Sequence, residues 1–448
     1  MGYSWVGRVW VGMGPRMSQM IRSDLLDDVP DRARLDRSLA LLREGYRFVE
    51  RRRREGDGPT PSDRAVELRL GGQRAVLIGG REAVKFFYDQ TLFRRRGAIP
   101  SPLANTLFGQ GAVHVHDGEA HLHRKAMFMR LLSTEHARRI GAVTDDLWRA
   151  AIDRWQTSER VVVFDEAVRV IGVGICRWAG LPLTPEDAPR RVWDLERIVD
   201  GFGSVGAPHV EARLARKRSE HWVKGVVTEV RTGRRTPPPG SALDVVTAWR
   251  DLDGSPLDDR TAAVELLNIV RPSVATAWFV AFSALALHEN PQWRTRLAQA
   301  SGDDLDRDLE AFAHEVRRLY PFAPVVGARA ARDITWRGHL LPEGRLVLLD
   351  LHGMNHDPHV WREPDRFDPE RFVGRAPDAY TYVPQGGADP HTGHRCAGER
   401  VTVELLKSAV RALTAVRYDV PEQDLAYPLS RIPTRPRSGF VLENVRRA

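Results

Sequence analysis

The sequence predicts a single large domain, mainly α with small β-sheets, built around a long central helix. Residues 262–288 are apolar on nearly every face, as expected for a helix that crosses the centre of a protein. Helical segments dominate the chain before them. After Pro321 the pattern changes to short apolar runs between turns, which favours strands. With 448 residues, of which 42% are hydrophobic, the chain can bury one large core.

The remaining elements follow from periodicity and turn residues. Predicted helices besides the central one cover 35–51, 81–88, 121–132, 135–155, 164–179, 189–202, 210–232, 305–320 and 399–415. Gly71-Gly72 joins strands 66–70 and 74–78 in a predicted hairpin. Later strands are predicted at 325–329, 334–336, 339–340 and 346–349. We expect residues 1–30 to be a disordered extension, with Met17 as an alternative start, and residues 31–448 to form the domain.

Composition narrows the class of protein. The formal net charge is +8, which makes nucleic-acid binding a possibility to weigh, but the arginines are spread along the chain. The dense run 51–54 is interpreted as the solvated end of a helix. Cys176 and Cys396 are the only cysteines, so we expect no disulfide framework and a cytoplasmic protein. Neither a secretory signal nor a membrane anchor is predicted.

The most informative stretch is residues 384–399, P-Q-G-G-A-D-P-H-T-G-H-R-C-A-G-E. Cys396 stands just before a predicted helix, where the helix dipole and free backbone N–H groups stabilise a thiolate. The neighbouring His394 and Arg395 are expected to act in the same direction. Gly398 would let the backbone pass close to a flat ligand. By contrast, Cys176 lies in an apolar segment and is interpreted as an inert core residue.

The segment G-H-R-C-A-G-E resembles the haem-ligand loop of cytochromes P450. Glu315 and Arg318 lie three residues apart on a predicted helix, and Arg371 follows in Pro-Glu-Arg-Phe. These positions match the Glu-Arg-Arg ion-pair cluster of the family. The resemblance implies the cytochrome P450 fold, haem b (iron protoporphyrin IX) as cofactor and Cys396 as the iron ligand.

The central helix departs from most cytochromes P450. An acidic residue followed by Thr is usual at its middle, and here Arg271 and Pro272 stand in that place. Pro272 cannot donate a hydrogen bond to Asn268 and should kink or open the helix. A buried Arg271 needs an anionic partner. That partner is either a carboxylate of the protein or a substrate carboxylate held by the guanidinium fork.

Arg-Pro in the helix and the Gln-Gly-Gly insertion in the cysteine loop resemble the bacterial fatty-acid peroxygenases. The resemblance implies that hydrogen peroxide oxidises a fatty acid at the α or β carbon, giving hydroxy acids or terminal alkenes, with no redox partner. It further implies that Arg271 binds the substrate carboxylate, which acts with Pro272 in place of the usual acid–alcohol pair. His114 would lie over the haem beside Phe108, a combination associated with decarboxylation.

Three more residues match haem-binding positions of the family. His121 and Lys125 correspond to a polar pair that faces a haem propionate, and Arg95 corresponds to another propionate-binding residue. The alternative for these cations is a solvated basic face. A zinc site made from His114, His116, His121 and His123 is a rival interpretation, although no Cys or carboxylate completes a clear ligand pattern.

Two other functions remain open from the sequence. One is a monooxygenase that depends on a redox partner and oxidises a substrate without a carboxylate, against which Arg271-Pro272 argues. The other is a non-catalytic haem-thiolate sensor.

Overall fold

The computed structural model describes residues 36–55 and 65–447. The expected extension over residues 1–30 and the alternative start at Met17 lie outside these residues. The helices are α1 (Ser38–Glu44), α2 (Arg47–Glu55), α3 (Arg81–Phe87), α4 (Ser101–Leu107), α5 (Gly118–Leu131), α6 (Thr134–Trp155), α7 (Val163–Ala179), α8 (Ala188–Asp200), α9 (Ala207–Arg231), α10 (Ala242–Ala248), α11 (Asp259–Val274), α12 (Thr276–Glu289), α13 (Pro291–Gln299), α14 (Gly302–Leu319), α15 (His352–Asn355) and α16 (Glu399–Thr414). The strands are β1 (Val66–Leu70), β2 (Gln73–Ile78), β3 (Phe93–Arg94), β4 (Arg160–Val162), β5 (Val325–Ala330), β6 (Ile334–Trp336), β7 (His339–Leu341), β8 (Leu346–Asp350), β9 (Val416–Asp419) and β10 (Val441–Arg447).

The β-sheets are small, as predicted. The largest has five strands in the order β1-β2-β8-β5-β3, and the others have the orders β4-β10-β9 and β6-β7. The predicted hairpin joins β1 to β2 with Val66 opposite Leu77. Its turn needs two glycines because Gly71 and Gly72 have φ angles of 58° and 76°.

The centre of the protein is formed by α11 and α12, which follow one another with a break only at Ala275. All but the ends of these helices are buried, and α12 is apolar around its whole circumference. By length and composition, Asp259–Glu289 could cross a membrane, but 94% of its most apolar window is buried inside the protein. It is therefore a core helix. Helix α11 continues through Pro272 to Val274, so the helix does not open at the proline itself.

Two predictions near the N-terminus are wrong. The helix expected over 35–51 is two helices, because Gly45 ends α1 with a φ of 55°. The arginine run at 51–54 is not simply a solvated helix end. Arg53 is buried, and its Nη1 lies 2.7 Å from Asp350 Oδ2 at the end of β8, so this ion pair ties α2 to the five-stranded sheet.

Cys176 lies on α7 and is fully buried, as predicted. Burial raises the pKa of its thiol to about 12.

Candidate active site

Cys396 stands three residues before α16, at the end of the glycine-rich loop. Its backbone N–H donates to the carbonyl of Gln385 at 3.2 Å, and Gln385 Nε2 donates to its Sγ at 3.6 Å. Arg317 Nε holds the Gln385 amide by donating to Oε1 at 2.9 Å. The loop therefore fixes the sulfur from both its backbone and its side-chain surroundings.

The expected charge environment of Cys396 is partly wrong. His394 stacks on His121 with ring centroids 3.8 Å apart, and burial lowers its pKa, so it is neutral at pH 7. Arg395 Nε forms an ion pair with Glu399 Oε2 at 2.6 Å, which offsets its charge. Burial, together with the charge of Glu399, raises the pKa of the Cys396 thiol. The Gly398 N–H and the cations Lys125 and Arg317 act in the opposite direction.

Arg271 projects from α11 and is only 5% exposed. Its Nε and Nη2 are buried without a hydrogen-bond partner, and within the described residues it forms no salt bridge. Burial lowers the pKa of Arg271 to about 9, with a further lowering by Arg216 and a rise from Cys396, so the guanidinium remains charged at neutral pH. Within the described residues, no protein carboxylate pairs with Arg271. The substrate carboxylate is the other partner expected from the sequence.

Phe108 and His114 lie beside Arg271. Their rings stack with centroids 4.1 Å apart at 15°, and Arg271 Cζ lies 5.9 Å from the centroid of the Phe108 ring. Burial lowers the pKa of His114 well below its usual value, and the Arg271 charge lowers it further. The imidazole is therefore neutral, and its Nδ1 is buried without a hydrogen-bond partner.

The four histidines between 114 and 123 do not form a metal site. Among the described residues, no three His, Cys, Asp or Glu side chains come together to hold a metal ion. His116 Nε2 lies 3.2 Å from the carbonyl of Gly111, and His123 Nε2 lies 2.8 Å from the carbonyl of Arg250. With His114 on Phe108 and His121 on His394, each ring has a different neighbour.

Arg95, His121 and Lys125 are all buried, so the solvated basic face considered for them is wrong. Arg95 Nη1 donates to the carbonyl of Gly327 at 2.9 Å, and its guanidinium lies over Phe87. Lys125 Nζ donates to the carbonyls of Gly393 and Arg395, at 3.1 and 2.6 Å, and so helps to hold the cysteine loop. Contact of these residues with a propionate stays a prediction.

The predicted Glu–Arg–Arg cluster is present in the structure. Arg318 Nε and Nη2 donate to the two oxygens of Glu315 at 2.7 and 2.8 Å, and both residues are buried. Arg371 Nε lies 3.5 Å from Glu315 Oε1. Arg318 Nη1 also donates to the carbonyls of Asn355 and Pro364, so the cluster fixes the segment that leads toward the cysteine loop.

Sequence reasoning missed two residues near the site. Gln385 was noticed only as part of an insertion, although its amide reaches Sγ of Cys396. Glu265 was not noticed at all. It is fully buried on α11 and accepts hydrogen bonds from Val113 N–H at 2.8 Å and Asn268 Nδ2 at 3.2 Å. The sequence signal that could have identified Glu265 is an acidic residue on an otherwise apolar face of a helix.

The donors around the cysteine fit a haem with two carboxylates. A Cβ built at Gly398 would make an ordinary van der Waals contact with Cys396 Sγ at 3.8 Å, so the backbone of this glycine lies beside the sulfur. His121 Nδ1 is buried without a partner, and Arg95 and Lys125 are buried cations that form no salt bridge within the described residues. Buried cations need anions, and the propionates of a haem would supply them. Cys396 would hold the iron, and a bound haem would supply the oxidative chemistry of a thiolate-ligated iron.

Comparison with known proteins agrees with this geometry. A profile of the family Cytochrome P450 matches residues 308–400, which include the Glu–Arg–Arg cluster and Cys396. The chain is 28% identical to Cytochrome P450 4A7 of Oryctolagus cuniculus over 252 residues, 52% of this chain and 48% of that protein, so it spans about half of this relative. It is 25% identical to Putative cytochrome P450 137 of Mycobacterium tuberculosis, covering 81% of this chain and 79% of that one.

Solved structures give the more extensive matches. Cytochrome P450SP alpha in complex with (R)-ibuprofen has a TM-score of 0.86 and 40% identity, covering 92% of this chain and 99% of that one. Ligand-free cytochrome P450 OleT has a TM-score of 0.87 and 35% identity, covering 92% and 98%. A variant of OleT was solved with arachidonic acid, again with a TM-score of 0.87. The predicted family, fold class and cofactor are confirmed: the chain belongs to the cytochrome P450 family, in its fatty-acid peroxygenase subfamily, and its cofactor is haem b.

Proposed function

We propose that this chain uses hydrogen peroxide to oxidise fatty acids at the α or β carbon, with Arg271 holding the substrate carboxylate. The observation that carries the proposal is the buried guanidinium of Arg271, which has two donors without partners beside the Phe108–His114 stack. A planar guanidinium can bind a carboxylate with two parallel hydrogen bonds. The complex of an OleT variant with arachidonic acid supports a long-chain acid as the substrate.

The residues around Arg271 have distinct proposed roles. The docked carboxylate supplies the acid–base group that the helix lacks, since Arg271 and Pro272 replace the usual acid and alcohol. Neutral His114, with its unpartnered Nδ1, accepts or returns a proton next to that carboxylate. Phe108 fixes the plane of the imidazole by stacking on it. Cys396 is the iron ligand, and Arg95, His121 and Lys125 hold the propionates.

Two overall reactions are balanced with peroxide as the only oxidant. In hydroxylation, R-CH₂-CH₂-COOH and H₂O₂ give a hydroxy acid and one water. In decarboxylation, the same reactants give R-CH=CH₂, CO₂ and two waters. Neither reaction needs an electron donor, so we propose that the enzyme works without a redox partner. Its two unpaired cysteines support a location in the cytoplasm.

A turnover assay tests the proposal. Haem-loaded protein is mixed with hydrogen peroxide and a long-chain fatty acid without a reductant, and products are measured by gas chromatography with mass detection. Hydroxy acid or 1-alkene is the expected result. Absence of product from protein with a thiolate-type haem spectrum, together with turnover when a ferredoxin and its reductase are added, would instead establish a monooxygenase that depends on a redox partner.

Substitution of the arginine tests its assigned role. Arg271→Ala should lose turnover of free acids on the order of a hundredfold or more, because a buried charge partner is removed. Arg271→Lys keeps the charge without the fork and should recover only part of the activity. Arg213→Ala, an exposed arginine on α9, is the control and should turn over normally. Normal turnover by Arg271→Ala would contradict carboxylate docking, and partial rescue of this variant by a short carboxylic acid would support it.

A further inference from the structure

The segment that carries Phe108 and His114 is held at three points by buried charged side chains from three different helices. Arg216 of α9 donates to the carbonyls of Leu107 and Phe108, at 3.3 and 2.9 Å. Arg124 of α5 donates to the carbonyl of Gly111 at 2.8 Å. The third point is Glu265 of α11, whose Oε1 accepts from the N–H of Val113 at 2.8 Å. Val113 begins the 3-10 turn Val113–Val115, in which His114 is the middle residue.

Glu265 differs from the other two because it lies on the helix that carries Arg271. The two residues are six positions apart along α11, somewhat less than two turns. Its Oε2 accepts from Asn268 Nδ2 at 3.2 Å, on the turn between them. One side chain therefore connects the backbone next to His114 with the helix that positions the guanidinium.

The burial of Glu265 argues against an incidental contact. It has no exposed surface, and burial raises its pKa to about 7, against the opposing effects of Arg124, Asn268 and the Val113 N–H. A buried carboxylate is costly unless its oxygens are hydrogen-bonded. The charged or titratable groups that face it are Arg124 and, beyond it, Arg216, His116 and Asp251.

We propose that Glu265 is a positioning residue, which fixes His114 relative to Arg271 through the Val113 N–H and thereby sets the partition between hydroxylation and decarboxylation. The proposal rests on the proposed function, because both side chains act on the same substrate carboxylate. A displacement of about 1 Å in such a pair can change a rate on the order of a hundredfold. The choice between two products should respond at least as sensitively, since it depends on which carbon is presented.

Two substitutions of Glu265 distinguish the effect of its hydrogen bond to Val113 from the effect of its negative charge. Glu265→Ala removes the acceptor of the Val113 N–H altogether. Glu265→Gln keeps an oxygen that can accept from the Val113 N–H. The new amide N–H of the glutamine can donate to Asn268 Oδ1, which has no partner, if the side-chain amide of Asn268 rotates. Asp251→Asn is the matched control, because Asp251 also pairs with Arg124 but is half-buried and does not contact the His114 segment.

Three measurements are made on each haem-loaded variant: hydrogen–deuterium exchange of peptides covering residues 107–116, the dissociation constant for a fatty acid from the spectral shift, and the ratio of hydroxy acid to alkene. Glu265→Ala should speed exchange in that segment, lower kcat/KM by about 10- to 100-fold and change the product ratio. Glu265→Gln should lose less than tenfold. Asp251→Asn should stay within about twofold of the wild type.

Unchanged exchange and an unchanged product ratio in Glu265→Ala would overturn the proposal. A variant that merely loses stability would lower the yield of haem protein without changing the ratio in the folded fraction. If Glu265→Ala does not fold, Glu265→Asp decides, because it keeps the carboxylate but is one methylene shorter and so cannot hold the Val113 N–H in the same place. Exchange and a product ratio identical to those of the wild type in Glu265→Asp would contradict the proposal. If the wild type itself makes no product with peroxide, the proposed function fails, while the exchange measurement still tests whether Glu265 holds the segment.

Discussion

Two of the buried arginines, Arg318 in the Glu–Arg–Arg cluster and Arg271 on the central helix, have opposite surroundings. Arg318 is 1% exposed and donates to both oxygens of Glu315 and to three backbone carbonyls. Arg271 is 5% exposed, and two of its nitrogens have no partner within the described residues. Two guanidinium groups that are buried to a similar depth therefore differ in whether their donors have partners.

The difference shows which buried arginine stabilises the fold and which one can bind a ligand. A buried cation whose donors are all satisfied within the protein stabilises one conformation and has nothing left to offer a ligand. A buried cation with free donors raises the energy of the empty protein, and that energy is recovered when an anion binds. Satisfaction of hydrogen bonds, more than charge or depth, distinguishes the two arginines.

The largest expected effect comes from breaking the satisfied site. Glu315→Ala leaves the Arg318 guanidinium buried without its carboxylate and should lower the free energy of unfolding by about 3–5 kcal/mol. Urea denaturation followed by circular dichroism measures it. Arg366→Ala removes the exposed pair between Arg366 and Glu363 and should cost less than about 1 kcal/mol. Equal losses in the two variants would contradict the comparison.

The unsatisfied site should respond in the opposite direction. Arg271→Met replaces an unpartnered cation by an apolar side chain of similar length, so the ligand-free protein should become more stable, by about 1 kcal/mol or more. In addition, a fatty acid should raise the thermal midpoint of the wild type but not of the variant, because only the wild type binds the carboxylate. A loss of stability as large as that of Glu315→Ala would show that Arg271 has a structural partner.

A smaller change should appear in product choice alone. His114→Gln preserves a polar side chain beside Phe108 but removes the imidazole, and the resemblance to the peroxygenases predicts a severalfold larger share of hydroxy acid over alkene. Gas chromatography of the two products at equal conversion measures the share. Phe108→Leu is the companion variant, since it keeps the histidine but removes the ring that stacks on it. An unchanged product ratio in both variants would show that Phe108 and His114 do not determine the choice of product.

A further effect concerns the pH dependence of stability. The pKa of Glu265 is raised from 4.5 to about 7, so the folded protein binds this proton more tightly than the unfolded chain does. Its contribution to stability is therefore complete below pH 4.5 and is lost as the pH rises toward 7. The Glu265→Gln variant lacks this loss, so the stability difference between variant and wild type should grow from pH 5 to pH 8. Urea midpoints at the two pH values measure it, and parallel changes in both proteins would contradict the prediction.

Much of the fold was predictable because long helices have strong periodicity. Helices α6, α7, α9 and α14, and the hairpin at Gly71-Gly72, follow the predicted ranges within a few residues. Helices α4 and α10 were missed because seven residues make fewer than two turns and show little pattern. Helix α13 had a readable signal, since it begins with Pro291 at its first position.

The site was predictable where its residues belong to local motifs, as Cys396 and the Glu–Arg–Arg cluster do. Glu265 was not, because its contact with Val113 spans 152 positions and leaves no local pattern. The charge of the cysteine loop was also misjudged. Proximity in sequence made His394 and Arg395 appear as free cations, whereas burial lowers the pKa of His394 and pairing with Glu399 offsets the charge of Arg395.

Cys176 bears on how long such an enzyme survives its own oxidant. Peroxide attacks thiolates in preference to thiols, and it reaches exposed sulfur first. Full burial and a thiol pKa raised to about 12 leave Cys176 protonated and shielded, and the other cysteine is the iron ligand. The chain therefore offers peroxide no readily oxidised cysteine away from the reaction centre. Inactivation during turnover should accordingly begin at the haem and its ligand, and Cys176 should be recovered as a free thiol from spent enzyme.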